Sequence, residues 1–177
     1  MKTIREFAGL SLLWVQPKAM KQQFELHCGD EVLAVMRWQS SWRSGATVET
    51  AEGSWSFRRQ GFWQQVIIES AWGGAALPTL RRRWTGSATL SFSDGHSYLW
   101  QRNGFWGIKR VWSTAEGVPL VSLKARSGFL KTGGEVAIQP FAAALPELAL
   151  LVTLGWYLVI MEARDAAAAA SSAAIVS

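Results

Sequence analysis

Cysteine is almost missing from this chain of 177 residues. Cys28 stands alone, which excludes an intramolecular disulfide and any cysteine-cluster zinc site. Histidine is scarce as well: His27 and His96 are too few for a histidine-rich metal centre. Charged residues make up only 18% against 49% hydrophobic, so the chain is no disordered polymer and must bury a core. Its length fits one domain that needs no covalent staples. Phosphate-cradling glycine loops are lacking too, since Gly104-Phe105-Trp106-Gly107 has neither a lysine nor a following helix. No cofactor and no metal are expected.

What the chain has is tryptophan, 11 residues of it, set in short alternating runs. Stretches of about 5–8 residues alternate apolar with polar and favour Trp, Phe, Val, Ile and Thr, the pattern of half-buried strands. Gly-containing turns separate them: Cys28-Gly29-Asp30, Ala51-Glu52-Gly53, Ser93-Asp94-Gly95 and Ala115-Glu116-Gly117. About twelve strands result, near 8–16, 22–28, 31–38, 45–50, 54–60, 62–70, 79–84, 87–92, 96–102, 106–113, 118–124 and 134–139. Gly73, Gly74 and Pro78 mark a longer loop. Two hairpins look like copies 43 residues apart, Trp55 to Trp63 and Tyr98 to Trp106. Each reads aromatic, x, aromatic, polar, Arg, amide, Gly, Phe, Trp. The aromatic pair faces the core and Arg59 or Arg102 lies at the strand end. A meander this long must close on itself or split into layers, because open edges are sticky.

The start of the chain, with Lys2, Arg5 and an apolar run from Phe7 to Val15, has the outline of a short export signal. Glu6 interrupts it and no A-x-A-like site follows, so a first strand ended by Pro17 is the preferred reading. A cytoplasmic location is expected, with or without membrane association.

The pattern changes at Leu145-Pro146-Glu147, a helix start. Leu148 to Met161 then runs 14 residues without a charge, interrupted only by Thr153 and Gly155. Such a helix has no polar face and is either buried all round or spans a bilayer. Fourteen residues reach about 21 Å, short of the ~30 Å hydrocarbon layer. That length matches the height of a barrel of six- to eight-residue strands, about 20–27 Å. The expected fold is therefore a closed antiparallel barrel of about twelve strands around a hydrophobic C-terminal helix, 146–164. Residues 1–165 form the single domain, and 166–177 are an alanine-rich tail. A helix about 10 Å wide fills an interior that wall side chains alone leave void, and Gly155 allows wall and helix to approach closely. The alternative is a tail anchor, with the same helix in a bilayer.

This order of elements, with the repeated Gly-Phe-Trp hairpins and the segment Pro146–Met161, resembles the tubby C-terminal superfamily, which includes phospholipid scramblases and LURP-one-related proteins. The resemblance covers residues 8–164. It implies a closed barrel around a central helix, and phosphoinositide or membrane binding through basic residues. The chain departs from scramblases in lacking a palmitoylatable Cys cluster, an acidic calcium loop near its end and a Pro-rich N-terminal arm, so calcium control and scrambling do not carry over.

Charge is unevenly placed. Residues 54–113 hold Arg58, Arg59, Arg81, Arg82, Arg83, Arg102, Lys109 and Arg110 against only Glu69 and Asp94, a local charge of +6 where the whole chain carries +5. These eight are the candidate contacts for an anionic group, a lipid head group or another anionic partner, with Arg81, Arg82 and Arg83 foremost. Guanidinium suits phosphate because it donates two parallel hydrogen bonds. Nucleic acid is not the expected partner, because stacking needs several exposed tryptophans. A structural or protein-interaction module is a further alternative.

No catalytic residue is assigned and the protein is not expected to be an enzyme. The turn Asp94-Gly95-His96 accounts for both its acid and its histidine. His27 and Cys28 point to opposite faces of a strand. Glu49, Glu52 and Glu69 show no acid/base pairing.

Overall fold

In the computed structural model, residues 19–20, 41–42, 62–64, 71–76, 84, 104–108, 128–131 and 176–177 are not described. Nor are the side chains of 40, 43–44, 127 and 173–175. Twelve antiparallel strands close into a barrel in simple meander order, as expected. They are β1 (Ser11–Val15), β2 (Gln23–Cys28), β3 (Glu31–Ser40), β4 (Arg43–Thr50), β5 (Ser54–Gln60) and β6 (Gln65–Ser70), followed by β7 (Thr79–Arg82), β8 (Ala88–Ser91), β9 (Ser97–Asn103), β10 (Lys109–Thr114), β11 (Pro119–Ser127) and β12 (Thr132–Ile138). β1 closes the ring on β12 through pairs from Ser11 opposite Ala137 to Trp14 opposite Gly134. Closure leaves no sheet edge to pair with another chain.

Alternation sets the inside. Leu12 and Trp14 are buried on β1, Phe24 and Leu26 on β2, and Tyr98 and Trp100 on β9. The turns between β8 and β9 and between β10 and β11 place Gly95 at φ 95° and Gly117 at φ 89°, a region that disfavours side chains. Of the paired motif, Trp55 packs against the core and Phe57, Tyr98 and Trp100 lie in it. The Phe62-Trp63 and Gly104-Phe105-Trp106 halves of that motif lie outside the described residues.

Several boundaries differ from the sequence reading, each for a local reason. The first strand starts at Ser11 and not at residue 8, because Ile4–Phe7 forms a 3-10 turn. Glu6 accepts the Thr3 backbone N–H at 3.2 Å and so caps that turn. A second 3-10 turn, Pro140–Ala144, precedes the helix and has no counterpart in the expectation. The helix α1 (Leu148–Ile175) begins two residues later than expected and runs on through residues 166–175 of the alanine-rich tail. Alanine has the highest helix propensity, so the tail extends α1 and does not form a separate segment. The strand expected at 79–84 is described to Arg82, and Trp84 lies outside the described residues.

Every residue from Leu148 to Met161 is buried, so α1 is the plug of the barrel. Trp156 is fully buried and stacks on Trp14 at 5.7 Å between ring centroids. It also meets Phe24 edge-on at 5.9 Å. On another side Tyr157 stacks on Trp38 at 5.2 Å and tilts against Phe57 at 5.4 Å. Thr153 donates its hydroxyl to the Ala149 carbonyl at 2.8 Å, which satisfies that side chain within the apolar run. The indole N–H groups of Trp14, Trp38, Trp100, Trp112 and Trp156 meet no acceptor among the described residues. Each such donor costs about 1–3 kcal/mol, whereas burying an aromatic of 150–250 Å² contributes about 4–6 kcal/mol. Apolar area and shape therefore hold the plug. No helix among the described residues is long and apolar enough to cross a membrane, which leaves the tail-anchor reading without support.

Two glycines set the clearance between plug and wall. A Cβ on Gly155 would stand 2.9 Å from both Leu123 and Trp112. One on Gly134 would stand 2.5 Å from the Trp156 ring and 2.9 Å from the Lys124 carbonyl oxygen. Overpacking costs about 1–3 kcal/mol, but alanine in a helix returns about 1 kcal/mol. Gly134→Ala is accordingly expected to destabilise the barrel by about 3 kcal/mol and Gly155→Ala by distinctly less. Urea unfolding followed by tryptophan fluorescence measures the order.

Candidate anion-binding surface

The eight expected cations do not share one face. Strand parity divides them. Arg59, Arg82, Arg102 and Arg110 fall on the inward parity of β5, β7, β9 and β10, at the end where α1 leaves the barrel. Arg58, Arg81, Arg83 and Lys109 fall on the outer parity.

The inward group meets the helix. Arg59 Nη1 donates to Asp165 at 2.7 Å. Arg110 Nε donates to Glu162 at 2.7 Å, and Arg82 Nη2 lies 3.7 Å from the same carboxylate. Arg164 joins them from α1: its guanidinium lies over the Trp38 ring at 4.0 Å and donates to Gln22 at 2.6 Å. Burial lowers the Arg164 guanidinium below its ordinary value, opposed by the Tyr157 phenol beside it. Arg102 stands at the rim of a recess of about 260 Å³ shared with Arg110, Val159 and Glu162. These cations clamp the helix at the mouth. The sequence reading took Glu162, Arg164 and Asp165 only as the end of the apolar run and missed their part in this cluster. Continuing the 55, 57, 59 and 98, 100, 102 alternation would have turned both arginines inward.

The outer group is unequal. Arg58 is exposed and lies 3.5 Å from Glu69. Lys109 opens β10 beside Asn103 and Lys124. Arg81 and Arg83 line a groove of about 740 Å³ over β7 and β8 together with Thr79, Thr89, Ser91 and Ser93. The register places Arg81 opposite Thr89 and Thr79 opposite Ser91. Two arginines whose backbone positions are about 7 Å apart thus share the groove with four hydroxyl residues. No carboxylate lines the groove or pairs with Arg81 or Arg83 among the described residues. Such a set of donors suits a phosphate-like group, since guanidinium binds it bidentately and hydroxyls take its remaining oxygens.

The other titratable clusters have local partners. His96 Nδ1 sits 2.5 Å from Asp94 and Nε2 lies 3.5 Å from Glu147, while Phe92 stacks on the imidazole at 4.2 Å. Burial first, and then the Glu147 carboxylate, push the Tyr98 phenol well above its ordinary value. This cluster ties the β8–β9 turn to the start of α1. His27 pairs with Glu25 at 3.1 Å, and Cys28 is half-buried against the core. Glu49 pairs with Arg37 at 3.0 Å, and Glu52 accepts the Ile4 backbone N–H at 2.6 Å. None of the six described tryptophans is exposed, so base stacking has no platform among the described residues.

No family model, curated protein or solved structure matches the chain. The geometry of the surface therefore carries the functional argument.

Removing one partner of a buried ion pair costs about 3–5 kcal/mol, against about 1 kcal/mol or less for an exposed pair. The Glu162 side chain is only 15% exposed and that of Asp165 39%. Glu162→Gln is therefore expected to lower unfolding stability by about 3 kcal/mol and Asp165→Asn by about 1 kcal/mol, read from urea midpoints.

Proposed function

We propose that this protein is a non-enzymatic barrel that binds an anionic, phosphate-bearing group, foremost a lipid head group, on its outer face. The observation that carries this reading is the groove over β7 and β8. Arg81 and Arg83 share it with hydroxyls and no described acid. Three other outer arginines are already held: Arg37 by Glu49, Arg58 by Glu69 and Arg126 by Glu135. A guanidinium with a carboxylate partner gains little from a phosphate, because one charge pair only replaces another. Arg81 and Arg83 have no such competitor to displace.

The resemblance to tubby-like proteins, in the order of strands and plug helix, supports the same reading. Those proteins engage phosphoinositide head groups through basic residues. The groove requires no calcium and no scrambling activity, neither of which is proposed.

Each Lys or Arg at an anionic membrane surface contributes about 1 kcal/mol. Removing two should weaken the partition coefficient by about 10- to 30-fold. In liposome flotation the chain should rise with vesicles containing phosphatidylserine and stay behind with neutral phosphatidylcholine vesicles. Arg81→Gln/Arg83→Gln should lose most of that recovery, whereas Arg58→Gln should keep it. Equal recovery of the wild type on both vesicle types removes the lipid reading.

A further inference from the structure

The strand register sorts charge along the barrel axis. The β2–β3, β4–β5, β8–β9 and β10–β11 turns all lie at one end, closed by the two 3-10 turns. Those turns supply Asp30, Glu52, Asp94 and Glu116, with Glu6, Glu31 and Glu147 beside them. Only Lys2 and Arg5 oppose these carboxylates, and Lys2 is paired with Glu31 at 2.7 Å. The other end is where α1 leaves. Its inward arginines are Arg59, Arg82, Arg102 and Arg110. Lys18, Lys21, Arg83, Lys109, Arg126 and Arg164 stand around them. Against these cations, among the described residues, are only Glu162, Asp165, the Glu135 that holds Arg126 and the Glu25 that holds His27.

The two ends are about 20 Å apart, given strands of six to eight residues. The Debye length at physiological salt is about 8 Å. A charged surface touching one end is therefore screened from the other, and the barrel presents a basic pole to it. At that pole α1 runs on past Asp165 as exposed helix over residues 166–172, about 10 Å of it, and none of these seven residues is charged. An uncharged helical extension adds nothing to the recognition of nucleic-acid phosphates and would hold them off the arginines. It enters a lipid head-group layer without repulsion.

We propose that the helix-exit end docks end-on to an anionic bilayer. The α1 axis lies along the membrane normal, the acidic end faces away, and the extension from Ala166 enters the head-group layer. The inference shares with the proposed function its need for an anionic bilayer, but it assigns a different surface.

The test uses the full chain with Cys28→Ser and one new thiol carrying an environment-sensitive fluorophore, from Ala168→Cys at the helix-exit end or Glu116→Cys at the closed end. Vesicles contain phosphatidylserine and acyl-brominated phosphatidylcholine. Quenching of the Ala168→Cys label and not of the Glu116→Cys label is expected. Lys18→Gln/Lys21→Gln should weaken partitioning about tenfold and Lys2→Gln should not. Flotation with the reverse label pattern, or with neither label quenched, overturns end-on docking and leaves the groove reading standing. Quenching as expected while Arg81→Gln floats like the wild type supports the docking and overturns the groove. Displacement from vesicles by an oligonucleotide, with no label quenched, assigns the pole to nucleic acid and overturns the inference. Failure of the wild type to float overturns both.

Discussion

A twelve-stranded closed sheet is too wide for its own side chains to fill, and the structure follows from how that space is filled. The packed interior of a protein tolerates few voids, because atoms facing a gap lose contact on one side. Here the filling is the helical segment from Leu148 to Met161, buried along its whole length. The fit is set by aromatic stacking on Trp156 and Tyr157 and by missing side chains at Gly134 and Gly155. Hydrogen bonding contributes little, since the surrounding indole donors lack acceptors among the described residues. The plug also decides which segments of the chain reach solvent, since its first turn lies against the end closed by the 3-10 turns and its last turns emerge at the opposite end.

The arginines acquire two different tasks from this arrangement. Of those of inward parity, Arg59, Arg82 and Arg110 are drawn to Glu162 and Asp165 as the helix leaves the apolar interior, and they secure it there. Those of outward parity are free of the plug. Of them, only Arg81 and Arg83 stand in a groove without an acid among the described residues. The proposed anionic contact and the mechanical clamp therefore use adjacent residues of one strand, Arg81 and Arg82, pointing in opposite directions. Substituting Arg82 tests the stability of the plug, whereas substituting Arg81 tests the surface.

Much of this was legible beforehand, for identifiable reasons. Period-two alternation and acidic Gly turns locate the strands, because both are local properties of the backbone. The absence of any polar face on Leu148–Met161, together with its length, selects a barrel interior over a bilayer. The first strand was drawn too long because the Thr3–Glu6 cap competes with extension. The eight cations were named together as candidate contacts, with their faces left open, because sequence proximity does not report face. Alternation carried through Arg59 and Arg102 would have separated them.

Composition and periodicity alone determined a β-meander of about twelve strands, a wholly apolar plug and a basic middle segment, since each depends on interactions between near neighbours in the chain. Only the tertiary structure decided that Glu162 meets Arg110, that Arg81 lies opposite Thr89, and that acids and bases separate to opposite ends. These depend on ring closure and on the depth to which the helix is seated. Both are settled by packing between residues distant in sequence, about which a local pattern carries no information.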